Sequence, residues 1–131
     1  YKRQGIAAYV FNYDVAWMFG CASLNGVDIK KLALPLSYLH HYHMAPLRIR
    51  PRAIEERYNS MDQVPQSKIE RRSARSLLPP LVKGYLRVGC FVGDGAVLDF
   101  QFQTTDVCII VKTDGVAEKY RQHYEHGRHS A

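Results

Sequence analysis

The sequence predicts an α/β (α+β) domain in which a mixed, partly antiparallel sheet is flanked by helices. Two observations carry that expectation. Segments with helical signals alternate with short runs of β-branched and aromatic residues, and a late cluster of strands follows them. At 131 residues and 47 % hydrophobic content, the chain also fits one compact core. The expected layout is one domain over residues 1–126 and a frayed tail over 127–131.

The elements are predicted in chain order. Gly5, Ile6, Ala7, Ala8, Tyr9 and Val10 pack small and apolar positions closely, which suggests a helix over residues 4–12. Val15 to Leu24 is a buried strand closed by Asn25-Gly26 turn chemistry. Asp28 is placed to cap a helix running through Leu32, Leu36 and Leu39 to about His43, and Pro35 either kinks it or marks its true first turn. Leu47 to Arg52 alternates apolar and basic residues like a short edge strand limited by Pro51. The long polar connection from Ala53 to Gln66 is expected to be mobile.

Ser67-Lys68-Ile69-Glu70 matches a capping box and predicts a basic helix ending near Leu77. Pro79-Pro80 breaks the chain and seeds a second helix that stops at Gly89. Phe91-Val92 and Ala96-Val97-Leu98 then form two short strands joined by a Gly93-Asp94-Gly95 turn. A longer strand over Phe100 to Val111 and a helix over Val116 to His126 complete the set.

Composition removes several classes. No apolar run approaches the roughly 18 residues of a spanning helix; the longest are Val15–Phe19 and Val107–Val111. No secretory leader opens the chain, and its start at Tyr1 rather than Met suggests a processed chain or a fragment. Cys21, Cys90 and Cys108 are odd in number and widely spaced, which fits buried thiols in a reducing cytoplasm better than a disulfide scaffold or a zinc site. The net charge of +6 is concentrated between residues 48 and 75. Such a basic middle suits nucleic acid, an anionic bilayer, an acidic protein, or solvent alone.

No phosphate loop, nucleophile elbow or zinc-protease helix occurs in the sequence. His40, His41 and His43 lie on one predicted helix end, where the dipole favours imidazolium. Two of them could bind metal, but the third ligand zinc needs is not signalled nearby, so no metal is expected. A neutral histidine there could also take a proton from an attacking amine. His123, His126 and His129 fall in the tail and are taken as inert. Cys21-Ala22-Ser23 sits at a strand end, where ligands commonly bind in α/β sheets and where small residues also ease helix packing. Asp99, Gln101, Gln103, Thr104, Thr105 and Asp106 interrupt the last apolar strands, as a buried polar site or as a solvated hairpin end. Lys83 and Arg87 are four apart on one helix face and could grip a phosphate or carboxylate, or simply face water.

Taken in order, five segments resemble one family. They are Gly5 to Val10; Phe19-Gly20-Cys21-Ala22-Ser23; Leu34-Pro35-Leu36-Ser37-Tyr38-Leu39-His40-His41-Tyr42-His43; Leu78 to Arg87 with Gly89; and Val92 to Asp99 with Phe102, Thr104, Thr105, Asp106 and Val107. Together they are similar to the hemolysin-like branch of the GNAT superfamily, which includes the L-ornithine Nα-acyltransferases. The resemblance implies the C-terminal half of a GNAT-like domain, with residues 1–12 as the end of a central helix. It implies a bacterial enzyme of lipid metabolism that moves a 3-hydroxy fatty acyl group from acyl carrier protein, or from acyl-CoA, to the α-amine of ornithine or a similar amino acid. The product would be a lyso-aminolipid, with no permanently bound cofactor and a half-chain inactive alone.

Residue type suggests how the roles divide within that chemistry. His41 or His40 would be the base, with Asp99 beside them as a catalytic candidate. Lys83 or Arg87 would hold the acceptor's carboxylate, and Asp99 or Asp106 its distal amine. Cys21, Ser23, Tyr85, Phe102 and Thr104 complete the expected substrate-binding set. Lys68, Arg71, Arg72 and Arg75 suit docking of an acidic carrier protein, or a peripheral contact with an anionic inner membrane from the cytoplasmic side. The competing class is a non-enzymatic basic module for anionic membrane or nucleic acid. Because the aromatic residues cluster in apolar strands away from the arginines, nucleic acid is not expected.

Overall fold

Side-chain alternation with period two decides the architecture, because it gives each central strand two apolar faces. The computed structural model describes residues 8–12 and 15–112. Strands β1 (Ala8–Asn12) and β2 (Val15–Asn25) are followed by α1 (Ala33–Tyr42), α2 (Arg71–Ser76) and α3 (Pro80–Arg87). Short strands β3 (Phe91–Val92) and β4 (Val97–Asp99) precede the long β5 (Thr104–Lys112). The sheet order is β1-β2-β5-β3, with β4 also on β5, and every strand pair is antiparallel. This is the α+β class the sequence predicts.

Leu24, Val107, Ile109 and Val111 share one face of the sheet with the helix residues Leu36, Leu39, Ala74, Val82 and Leu86, forming the main core. On the opposite face, Trp17 and Ile110 pack with Phe19, Phe91 and Cys108 under Ala45 and Ile49. The helices therefore lie on one side of the sheet, and irregular chain covers part of the other.

Several expectations are corrected. The described part of the predicted 4–12 helix is strand β1, paired with β2 from Ala8↔Phe19 to Asn12↔Val15. Tyr9, Val10 and Phe11 favour a pleated strand, and pairing with β2 outweighs the small residues' weak helical signal. Asp28 heads a turn, accepting from Lys30 N at 3.0 Å, and α1 begins later with Pro35 in its first turn, where an N–H is not needed. The basic helix also starts later than Ser67 predicts. Its cap is Glu70, whose carboxylate accepts from Ser73 N, a bond that holds the Glu70 pKa below its ordinary value. Lys68 instead closes a single turn of 3₁₀-helix, Gln66–Lys68.

A further correction concerns the glycine-rich segment. β3 and β4 do not pair as a hairpin; both lie along the same edge of β5, at Val92↔Ile109 and Val97↔Asp106. Residues 93–96 bulge outward between them and bond to the chain beyond. Asp94 N donates to Pro51 O at 2.8 Å and Ala53 N to Asp94 O at 2.9 Å, while Asn59 and Ala96 exchange bonds of 3.0 and 2.8 Å. The supposedly mobile connection is thus stitched to this edge, and Leu47 to Arg52 reaches it through a 3₁₀ turn rather than a strand. Gly95 adopts φ +93° against the Tyr58 ring, a conformation and closeness that a side chain would not permit.

The long final strand starts at Thr104, because residues 100–103 turn the chain with Gln103 at φ 56°. Gly89 ends α3 with φ +87°, as predicted. The predicted helix over Val116 to His126 and the tail lie outside the described residues. Among the described residues no helix is long and apolar enough to cross a membrane.

Candidate active site

Register between the two long strands assembles the first part of the site. Ser23 pairs with Asp106, and Cys21 with Cys108. Ser23 Oγ donates to Asp106 Oδ1 at 2.7 Å, and Thr104 Oγ1 donates to the same oxygen at 2.9 Å. Thr104 reaches it because residues two apart on a strand share a face. Two hydroxyls thereby fix the carboxylate, and among the described residues Oδ2 has no hydrogen bond and Asp106 no ion pair. Asp99, only 8 % exposed at the end of β4, accepts from Phe102 N at 3.1 Å through Oδ1.

These groups open into a cavity of about 400 Å³. Gly20, Cys21, Asp106 and Cys108 supply its floor, Asp94, Val97 and Asp99 one wall, and Pro51, Arg52, Ile54 and Arg57 the other. Arg52 pairs with Asp94 at 3.0 Å and lies 4.1 Å over the Tyr58 ring. Tyr58 Oη donates to Asp94 Oδ1 at 2.7 Å, and this bond, ahead of burial, raises the phenol pKa and keeps it a donor. Arg57 Nη2 donates to Leu98 O at 2.9 Å, which sets its guanidinium beside β4.

A second cavity of about 500 Å³ lies between the sheet and α3. Met18, Gly20, Ile109 and Val111 face Pro80, Leu81, Gly84, Tyr85 and Val88 across it, so its lining is almost wholly apolar. Small residues keep it open: a Cβ on Gly20 or Gly84 would meet nothing within 4 Å among the described residues. Leu81 and Val88 line it while remaining 62 % and 60 % exposed. Gly20 and Cys21 form part of both cavities, so the charged space and the apolar space share one short stretch of β2.

Of the residues singled out from sequence, Cys21, Asp99 and Asp106 line the charged cavity, and Ser23 and Thr104 join them through their bonds to Asp106. Phe102 is in the turn beside Asp99 and is 45 % exposed. Tyr85 lines the apolar cavity, whereas Lys83 and Arg87 line neither and belong to a helix on the other side of the sheet from Asp106. Lys68, Arg71 and Arg72 are exposed and Arg75 is half-buried, with Arg71 4.9 Å over the Tyr42 ring.

His40 and His41 line neither cavity. His41 Nε2–H donates to Asp62 Oδ1 at 3.0 Å and to Val64 O at 3.2 Å, which ties α1 to the following connection. His40 stands 3.9 Å from the same carboxylate, with its Nδ1 buried and unpartnered among the described residues. The three side chains offer ligand atoms within 4.8 Å of one another, so Asp62 provides the third group that the sequence did not signal. His43 is hydrogen-bonded to Tyr38 Oη at 3.0 Å, and burial, then Arg75 and Arg71, hold its pKa below the ordinary value.

None of the thiols forms a disulfide. Burial pushes Cys90 and Cys108 up to about 11, Cys108 with a smaller contribution from Cys21, so both are protonated near neutrality. Sequence reading missed Arg52, Arg57 and Asp94 as site residues. The two arginines were visible only as members of a basic stretch, and Asp94 only as part of a turn.

The chain is 43 % identical over 121 residues to the L-ornithine N(alpha)-acyltransferase of Rhodobacter capsulatus, covering 92 % of this chain and 46 % of that protein. It is 44 % identical over 121 residues to the enzyme of the same name from Brucella abortus, covering 43 % of it, and 40 % identical to that of Agrobacterium fabrum, covering 41 %. No family model and no solved structure matches. The chain thus spans less than half the length of these relatives, and over nearly all of its own length it is similar to the L-ornithine Nα-acyltransferases.

Proposed function

We propose that the full-length protein transfers a fatty acyl group from a thioester to the α-amine of ornithine, with the two cavities receiving the two substrates. One observation carries this reading: an apolar cavity and a charged one share the Gly20–Cys21 stretch of β2. An acyl chain sheltered against α3 would bring its carbonyl to that shared wall, where an amine bound in the charged cavity can meet it. Such positioning is what a bimolecular acyl transfer needs most.

The amine must attack as the neutral form. Asp106 lies two residues along the strands from Cys21 and Cys108, and its Oδ2 is available to take the proton. The nitrogen attacks the thioester carbonyl, the new C–N bond forms, and the C–S bond breaks. One proton leaves the α-ammonium for solvent before attack; the one that Asp106 takes from the nitrogen as the C–N bond forms then passes to the departing thiolate. The protonated Cys108 thiol disfavours a route through an acyl-cysteine at that position. Acyl carrier protein is the donor that suits the basic face of Lys68, Arg71, Arg72 and Arg75, since α2 leads directly into α3 and the apolar cavity. The lyso-aminolipid product suits delivery to an anionic bilayer from the cytoplasmic side.

Incubating the full-length protein with ornithine and 3-hydroxyacyl carrier protein should yield an Nα-acyl-ornithine detectable by mass spectrometry. Finding the acyl group on no amine with either acyl carrier protein or acyl-CoA as donor would sink the reading.

A further inference from the structure

Resting on the acyltransfer reading, we infer that the charged cavity is a two-carboxylate ruler for a dibasic α-amino acid, with Asp99 holding the distal ammonium and setting acceptor length. The cavity is lined by two guanidinium groups and three carboxylates. Arg52 and Asp94 neutralise each other at 3.0 Å. What remains is one cation, Arg57, and two anions, Asp99 and Asp106. A dibasic α-amino acid carries the opposite set: one carboxylate and two amino groups. A neutral acceptor such as norvaline would leave one of these carboxylates uncompensated in a partly buried space, which is costly.

Register fixes which group goes where. Asp106 pairs with Val97 and Ser23, and Asp99 pairs with Thr104, so the two carboxylates stand on the same face, two residues apart along the strands. Because they stand on neighbouring strands, the two-residue rise and the inter-strand spacing combine to a separation of about 8 Å. The two nitrogens of extended ornithine, separated by four carbons, are roughly 6 Å apart from standard bond lengths. The α-amine must reach the thioester at Gly20–Cys21, and Asp106 is the nearer carboxylate to that wall. The distal ammonium therefore falls to the buried Asp99, beside the 100–103 turn. Arg57, anchored on Leu98 O, stands one residue from Val97, where the α-carboxylate would lie. Ser23 and Thr104 act as positioning residues that hold Asp106 in its rotamer.

The test is a panel of acceptors with one acyl thioester donor: 2,4-diaminobutyrate, ornithine, lysine and norvaline. The unaltered full-length protein should favour ornithine and use norvaline at least tenfold less efficiently in kcat/KM. Asp99→Asn keeps the oxygen that accepts from Phe102 N, so the turn is preserved. It should reduce the ornithine-to-norvaline ratio at least tenfold, mainly through the KM for ornithine. Asp99→Glu extends the carboxylate by one methylene and should shift preference towards 2,4-diaminobutyrate. Equal use of ornithine and norvaline by the unaltered protein, or an unchanged ratio in a folded Asp99→Asn, overturns the ruler while acyl transfer stands. Failure to acylate any amine overturns the underlying reading instead.

Discussion

His43 shows how one side chain can set the acid limit of stability. Its pKa is depressed in the folded protein, chiefly by burial and then by Arg75 and Arg71, so the unfolded chain binds the proton more readily. Stability from this group is complete above the ordinary value of 6.5 and is lost as pH falls from there through the depressed folded value. Urea midpoints measured between pH 7.5 and about 5 should therefore fall with acidification, and His43→Gln should flatten that fall. An equally steep fall in the variant would assign the effect to other groups. His41, with its Nε2–H given to Asp62 and Val64, is a tie between elements, and its replacement should disturb the 61–64 connection before it disturbs chemistry at Asp106.

At the scale of elements, the connection after α1 is held by a buried serine. Ser37 Oγ donates to Met61 O at 3.1 Å and accepts from Gln63 N at 2.9 Å and Val64 N at 2.8 Å. Ser37→Ala would strand three backbone groups, at a cost of roughly 2–3 kcal/mol, read as a lower urea midpoint at constant slope. Nothing in the sequence pattern announces this tie, since a serine in an apolar helix looks like a neutral surface residue. The strand β2, the helix after Pro79-Pro80 and the glycine stop at Gly89 were legible, because local propensity and tertiary packing agree there. Strand β1 was not, because the small residues Gly5, Ala7 and Ala8 mask the strand preference of Tyr9 to Phe11, which only pairing with β2 decides. The polar cluster of Asp99, Thr104 and Asp106 could be read as a site, since polar groups on a half-buried strand need partners. Arg52, Arg57 and Asp94 could not, because only the bulge at residues 93–96 brings the 51–59 chain against the sheet edge.

For the whole molecule, the proposed delivery by a carrier protein sets its docking on the basic α2, which directly precedes α3 and the apolar cavity that α3 lines. Reversing charge with Arg71→Glu and Arg72→Glu should raise the KM for acyl carrier protein about tenfold or more at low salt, less at high salt, and leave the KM for ornithine unchanged. An unchanged donor KM would move the docking face elsewhere. The shared wall at Gly20–Cys21 has a consequence for the end of the cycle. On the proposed reading, a finished amide would straddle a single strand, its tail in the apolar cavity and its head in the charged one, since both cavities include Gly20 and Cys21. Release then requires both ends to be freed, the tail from apolar contact and the head from charge. Each extra methylene in the tail adds about 0.8 kcal/mol of burial to be undone in water, and longer chains should linger until a bilayer takes them.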